Sequence, residues 1–302
     1  MAPVDGAIGD GEMPAAMMPG RGAVPGAGQD AWRWLVALYR CEGVVLRTHD
    51  LAEADRLVIM YTPDRGKHRA VAKGARRPRS RLAAGIQPFT RAVYLCWQGR
   101  NLDGISQVEV VESFAPLRAH LERLAAASYA CELMDAVTQE NDPQPRLYAL
   151  LVFTLRALAE AEPEVHAESP AALLGGLERL LLSFQWKLLA LTGFRPTFDR
   201  CIACGEPVAD SAGEVAVSLA EGGVVCDRHA RGAGMVRVLP AEVTGAVTGL
   251  LRAPLKAALG LRLSPGAAAA LSALTRDYLA YHLERYPQSR AFLDVLREQA
   301  GS

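Results

Sequence analysis

Four residues in this chain have the type and spacing to hold a metal ion: Cys201 and Cys204 in "CIACGEPV", then Cys226 and His229 in "CDRH". The pattern C-x2-C-x21-C-x2-H sets each pair on a tight turn, where a two-residue gap lets both side chains face one ion. Gly205, directly after the second cysteine, frees the backbone to aim N–H groups at sulfur. Three thiolates and an imidazole complete a tetrahedral Zn2+ shell and leave no position for water, so the expectation is a structural zinc, not a catalytic one. A catalytic ion would need a vacant position and a base, for which Glu206 and Asp227 qualify only by proximity. The intervening "GEPVADSAGEVAVSLAEGGVV" has alternating residues and paired glycines, which predicts a small β-hairpin and, with the ligands, a zinc-ribbon-like segment at about 200–230.

A second group is cationic. "RGKHRAVAKGARRPRSR", from Arg65 to Arg81, holds eight Lys or Arg and no acid. Gly66, Gly74 and Pro78 make it too irregular for one helix and predict a strand leaving into a basic loop. Like charges with no local acid repel one another until a polyanion neutralises them, which makes Lys67, Arg69, Lys73, Arg76, Arg77, Arg79 and Arg81 the candidate phosphate contacts. No base-reading element of a sequence-specific factor is evident, so the expected binding is led by the backbone, tolerant of sequence and sensitive to salt. Phe89, Tyr94 and Trp97 follow on the next strand; each is either a stacking platform or a core residue, the second being the commoner fate.

The elements that must position these groups fall into two blocks. Between Tyr39 and Phe114, five stretches rich in β-branched and aromatic residues are separated by turn signals such as "TPDRG" and "QGRN". No helix-length segment interrupts them, which suits a small closed barrel of the OB or SH3 type over 39–115. "RLVIMYT" is apolar almost throughout, as in a strand buried on both faces. After Pro116 the period becomes helical: "LRAHLERLAAASYACELMDAVTQE" puts Leu117, Leu121, Leu124, Ser128 and Cys131 on one stripe, and "PAALLGGLERLLLSFQWKLLALTGF" is apolar on most sides, as in the centre of a bundle. The expected architecture is α+β and multidomain, a five-stranded OB-type barrel followed by an all-helical domain over 116–302 with the zinc segment inserted.

Whole-chain properties exclude some classes. The chain has 302 residues, enough for two domains, with 33 basic and 33 acidic residues, so net charge says nothing about partners. Their distribution says more: 13 basic against five acidic residues between Arg40 and Arg100, then four against 12 between Asn101 and Pro170. The acidic middle reads as a solvated helical face, with a protein-binding face as the alternative. Cys41, Cys96 and Cys131 stand alone in apolar surroundings, and the cysteine usage fits a reducing compartment. Residues 1–38, rich in Gly, Pro and Ala, read as a disordered leader without a signal peptide. No apolar run reaches the roughly 18 residues of a membrane span, and the simplest placement is cytoplasmic.

Two other readings remain open. A nuclease would need clustered carboxylates; "HDLAEAD" offers Asp50, Glu53 and Asp55, and there is no phosphate-binding loop, nucleophile elbow or H-E-x-x-H. A zinc-ribbon transcription or RNA factor would use the ribbon as its binding surface, yet residues 205–225 carry Glu206, Asp210, Glu214 and Glu221 and no Lys or Arg.

"YRCEGVVLRTHDLAEADRL", "AVAKGARRPRSR", "QPFT" and "GFRPTFDRCIACG" together resemble the bacterial RecO family of DNA repair and recombination mediators, in order from about Tyr39 to near Tyr286. The resemblance implies an N-terminal OB-fold, a helical C-terminal domain with a zinc segment in many members, and a non-enzymatic role. It implies binding of single- and double-stranded DNA, annealing of complementary strands, and help in loading the RecA recombinase with RecR and single-stranded-DNA-binding protein, in association with the nucleoid. The family's basic "KGARR" segment falls on Lys73, Gly74, Ala75, Arg76 and Arg77. Its zinc ligands fall on Cys201, Cys204 and Cys226, and the fourth, often Cys in relatives, is His229.

Overall fold

A computed structural model of the chain describes residues 37–162, 170–208, 213–283 and 287–300. All but the last two residues of the expected leader lie outside that range. The first strand, β1 (Leu38–Asp50), is long enough to serve two partners. Its residues 38–44 pair with β4 (Arg91–Trp97) and residues 44–50 with β2 (Arg56–Thr62), with a register shift between Val45 and Arg47 where the strand changes partner. β3 (Gly66–Ala72) continues the meander from β2, and β5 (Asp103–Glu112) pairs along β4. Three parallel pairs, Ala70–Ala72 against Asp103–Ile105, close the barrel in the order β1-β2-β3-β5-β4.

Inside it, Cys41, Val45, Val58, Met60, Ala72, Tyr94 and Ile105 form one small core. Val44, Leu46, Ile59 and Tyr61 point out of the same strands into a second, larger core shared with the helices. β2 is therefore covered on both faces, as its unbroken apolar run predicts. Cys41, Cys96 and Cys131 are all buried, as expected.

The helical region begins with α1 (Pro116–Ala119) and α2 (Leu121–Val137). These were expected as one helix, but His120 between them is extended, at φ −127° and ψ 135°. The expected stripe fails at Leu121, which is half exposed; the buried side of α2 is Ala125–Ala127, Tyr129, Ala130, Cys131, Leu133 and Met134. Neither Pro nor Gly marks the break. α3 (Pro145–Glu160) and α4 (Pro170–Leu191) follow, and α4 packs against both α2 and α3, the central position expected of it. Trp186 on α4 is fully buried and donates from Nε1 to Thr275 Oγ1 at 3.0 Å. The rest of the region is not all helix. β6 (Glu214–Ser218) and β7 (Gly223–Val225) form the expected hairpin, α5 (Asp227–Ala230) is a single turn, and β8 (Val236–Pro240) adds a third, unexpected strand in the order β7-β6-β8. α6 (Ala241–Arg252), α7 (Pro265–His282) and α8 (Ser289–Ala300) complete the chain. Glu132 on α2 accepts from the Gln288 and Ser289 backbone N–H groups at 2.8 and 2.9 Å and so holds the start of α8.

Ion pairs reinforce the contact between barrel and helices. Asp135 on α2 receives Arg47 Nε at 2.7 Å and Lys67 Nζ at 3.0 Å, and Lys67 also donates to the Asp135 carbonyl. Glu42 on β1 accepts from Arg91 at 2.6 Å and from Tyr148 of α3 at 2.8 Å. Glu112 on β5 holds Arg156 of α3 through both oxygens, at 3.1 and 2.7 Å. Burial opposes the charged form of Asp135, but the hydrogen bonds and charges of Lys67 and Arg47 outweigh it and hold the carboxyl below its ordinary range. The stabilisation is therefore complete above the unfolded value of about 3.9 and is lost as pH falls through the lower folded value. Asp135→Asn is expected to destabilise the protein by about 2–3 kcal/mol at pH 7, because Lys67 is left largely buried and uncompensated, and to remove part of the acid-induced loss. Denaturant melts of both proteins between neutral pH and pH 3 check this.

Candidate nucleic-acid interface and metal centre

Residues 73–90, between β3 and β4, form the basic loop, and its shape is set from below. Asp55 accepts from the Gly74 N–H at 2.8 Å, and the Arg76 N–H reaches the Ala54 carbonyl at 2.9 Å. Ala75 and Ile86 insert into the small barrel core, and Tyr94 Oη donates to the Gly85 carbonyl at 2.9 Å. Between these anchors the backbone folds in successive turns, Arg77 to Gly74, Ser80 to Arg77 and Ala83 to Ser80. The loop is an ordered ledge on the barrel.

The candidate cations divide into two sets. Lys67 and Arg69 lie on the outward register of β3 and turn to the helices: Lys67 is bound to Asp135, and Arg69 pairs with Glu140 at 2.6 Å. Lys73, Arg76, Arg77, Arg79 and Arg81 gather on the loop, all exposed. Arg76 is tied to Asp50 at 3.4 Å and to the Ala52 carbonyl at 3.2 Å. Among the described residues, Arg77, Arg79 and Arg81 have no ion-pair partner. Asp50 and Asp55, two carboxylates of "HDLAEAD", are thus engaged in holding the loop. Phe89 and Tyr94 are core residues; Phe89 sits in the turn before β4, not on it. Trp97 alone of the three is partly exposed on the outer face, with Lys73 Nζ 5.2 Å from its ring centroid.

The four metal-type ligands come together, their ligand atoms all within 4.8 Å of one another. Cys226 Sγ stands 3.1 Å and Cys201 Sγ 3.8 Å from His229 Nδ1, and Cys204 Sγ stands 4.0 Å from Cys226 Sγ. A tetrahedral ion with bonds of about 2.0–2.3 Å places its ligands about 3.5–3.8 Å apart, so the group fits. Two tight turns present it. In the first, the Gly205 N–H returns to the Cys201 carbonyl at 2.8 Å with Gly205 at φ +75°, a conformation glycine adopts without cost. In the second, Cys226 caps α5 and the His229 N–H returns to its carbonyl at 2.8 Å. Burial pushes the Cys201 and Cys226 thiols up, but backbone N–H donors, among them Cys226 N to Cys201 Sγ at 3.4 Å, bring both below an ordinary thiol. Cys201, the most enclosed ligand, is fully buried beside β7, where the Ile202 N–H bonds the Val224 carbonyl at 2.9 Å. The site can hold a metal ion and tie the loop after α4 to the small sheet.

Residues 36–114 match the N-terminal part of Recombination protein O, and residues 118–291 match its C-terminal part. The chain belongs to the RecO family. The DNA repair protein RecO of Symbiobacterium thermophilum is 38% identical over 263 residues, covering 87% of this chain and 99% of the relative. That of Pelotomaculum thermopropionicum is 37% identical over 261 residues, 85% and 94% of the two chains, and that of Roseiflexus 36% over 266 residues, 86% and 87%. The RecO family is one of DNA repair proteins, and the basic loop and all four ligands lie within its matched regions.

The Asp55 contact can be tested directly. Asp55→Ala leaves the Gly74 N–H without its acceptor, an expected cost of about 1–2 kcal/mol. The loss is expected to stay local, with amide exchange at residues 74–76 accelerated far more than in β2.

Proposed function

We propose that the chain is a non-enzymatic mediator of DNA repair and homologous recombination that binds single- and double-stranded DNA, anneals complementary strands, and helps load RecA together with RecR and single-stranded-DNA-binding protein. The observation that carries this reading is the ordered loop on which Lys73, Arg77, Arg79 and Arg81 face solvent. Cations held in advance on a rigid ledge neutralise phosphates without first being ordered, and a small barrel of this kind, read as an OB-fold, grips a phosphate backbone in that way. Annealing follows from the same charge, since two strands kept close on a cationic surface no longer repel each other strongly. Lys67 and Arg69 stand at the helical end of the same surface and would extend the track only for a strand able to compete with Asp135 and Glu140.

The metal is read as structural Zn2+ in a ribbon-like lobe. Four protein ligands fill its tetrahedron, so the ion would supply cross-linking and no reactive water. Cys201 and Cys204 would tie the end of the α4 connection, and Cys226 and His229 the start of α5. The site of action is the cytoplasm, at the nucleoid; no helix among the described residues is long and apolar enough to cross a membrane.

Among the described residues Arg77 and Arg79 have no ion-pair partner, so Arg77→Ala with Arg79→Ala tests the loop without disturbing its anchors. Losing two phosphate contacts is expected to lower the slope of log affinity against log salt by about 1.4–1.8 and to slow annealing of oligonucleotides coated with single-stranded-DNA-binding protein, without ATP. A salt slope equal to wild type would refute the loop as the DNA contact, and cleavage of labelled DNA in Mg2+ would refute the non-enzymatic reading. Removing the metal by a strong chelator, or Cys201→Ser, is expected to lower the melting temperature while leaving the affinity of the still-folded protein for DNA within about two-fold. Selective loss of DNA binding with an unchanged melt would instead make the metal lobe a contact surface.

A further inference from the structure

Trp97 ends β4 on its outward register, next to the buried Cys96. Its cross-strand partner is Gly104 of β5, whose own neighbour on the far side is Val71 of β3. The indole lies across Gly104: a Cβ at that position would stand 2.0 Å from Cε2 and 2.1 Å from Cζ2 of the ring. One ring face is therefore seated on strand backbone, an arrangement only glycine permits. The ring reaches from β4 towards β3, where the strand gives way at Lys73 to the basic loop, and the Lys73 ammonium stands 5.2 Å from its centroid. Trp186 is the contrasting case, enclosed on all sides with its N–H bonded to Thr275. Among the described residues, Trp97 Nε1 has no acceptor, and apart from that long, exposed lysine nothing charged stands over the ring. An ammonium over an aromatic face at an exposed site is weakly held and exchanges readily for a phosphate.

We propose that Trp97 is a stacking platform for one unpaired nucleobase, with Lys73 passing from the ring to the phosphate of the nucleotide that covers it. The proposal rests on the loop being the DNA contact and adds what that reading lacks, a means of telling strand states apart. The phosphates of single and double strands present the same charge to Arg77, Arg79 and Arg81. In a duplex each base is already stacked and paired, whereas an unpaired base offers a free face to an indole and does so whatever its identity. A site for one base beside a cationic ledge therefore favours single strands without reading sequence. It also releases its base once pairing makes stacking within the duplex available, as annealing requires.

The test compares wild type, Trp97→Ala, Trp97→Phe and Gly104→Ala for binding to an oligothymidylate and to a duplex of equal length. Gly104→Ala keeps every charge and the indole but drives a methyl group into the ring's seat. Trp97→Ala and Gly104→Ala are expected to lose roughly ten-fold in affinity for the oligothymidylate and to keep duplex affinity within about two-fold, with Trp97→Phe close to wild type. The oligothymidylate is expected to quench tryptophan emission in wild type, and the quenching to vanish in Trp97→Phe although Trp32, Trp34 and Trp186 remain. Equal losses for both DNAs, no loss for either, or quenching that persists in Trp97→Phe would overturn the platform. Should Trp97→Ala or Gly104→Ala melt early, the quenching comparison between wild type and Trp97→Phe decides. If wild type bound neither DNA, the loop reading itself would fall; if it bound both with Trp97 silent, only the platform would.

Discussion

The outer face of β1 and β2 cannot be left in water, and the rest of the molecule follows from that. The five-stranded barrel fills its interior with its own side chains, Tyr94, Met60 and Ile105 among them, yet Val44, Leu46, Ile59 and Tyr61 point the other way. Each large apolar side chain removed from water contributes about 1.5–3 kcal/mol, so a cover for this face is worth more to stability than any ion pair at its rim. α2 and α3 supply the cover, α2 against β1 and α3 against β2. Barrel and helices are consequently one packed body, and the loop between β3 and β4 is held at a fixed place on it.

The same contact decides which charges remain available. Asp135, Glu140 and Glu112 come from the acidic middle of the chain, and they take up Arg47, Lys67, Arg69 and Arg156 where the two regions meet. The loop stands outside the reach of those acids, and its own acidic neighbours, Asp50 and Asp55, grip Arg76 and a backbone N–H, leaving Arg77, Arg79 and Arg81 without an ion-pair partner among the described residues. An apparently neutral protein thus presents a concentrated cationic surface, because its acids neutralise some basic residues and not others, according to position.

Much of this was legible from residue order alone. The five strands, the long helix α4 and the hairpin between the two Cys/His pairs all follow from local period and turn residues, and those pairs announced a shared site by their spacing. What escaped was set by contacts distant in sequence. The break at His120 carries no Pro or Gly; it falls where α1 packs against α3 and α2 against α4. β8 is a five-residue stretch, "VRVLP", too short to stand out until β6 lies beside it. Lys67 and Arg69 looked equivalent to Arg77 and Arg79 because a charge run does not say which members face an acid from another element. The opposite signs of the two halves of the chain held that information: the acidic middle, read as a solvated face, serves in part as the partner of the barrel.

Glu132 and Ser289 are 157 residues apart along the chain, and their contact places α8 on α2. During synthesis α2 leaves the ribosome well before α8. The side of α2 that α8 will cover therefore waits, unshielded, until α8 emerges. Closing so long a span is entropically slow, and it leaves an intermediate whose apolar helix face is open to other molecules. Completion of this fold is thus tied to the arrival of α8, and until then α2 exposes a surface that favours association.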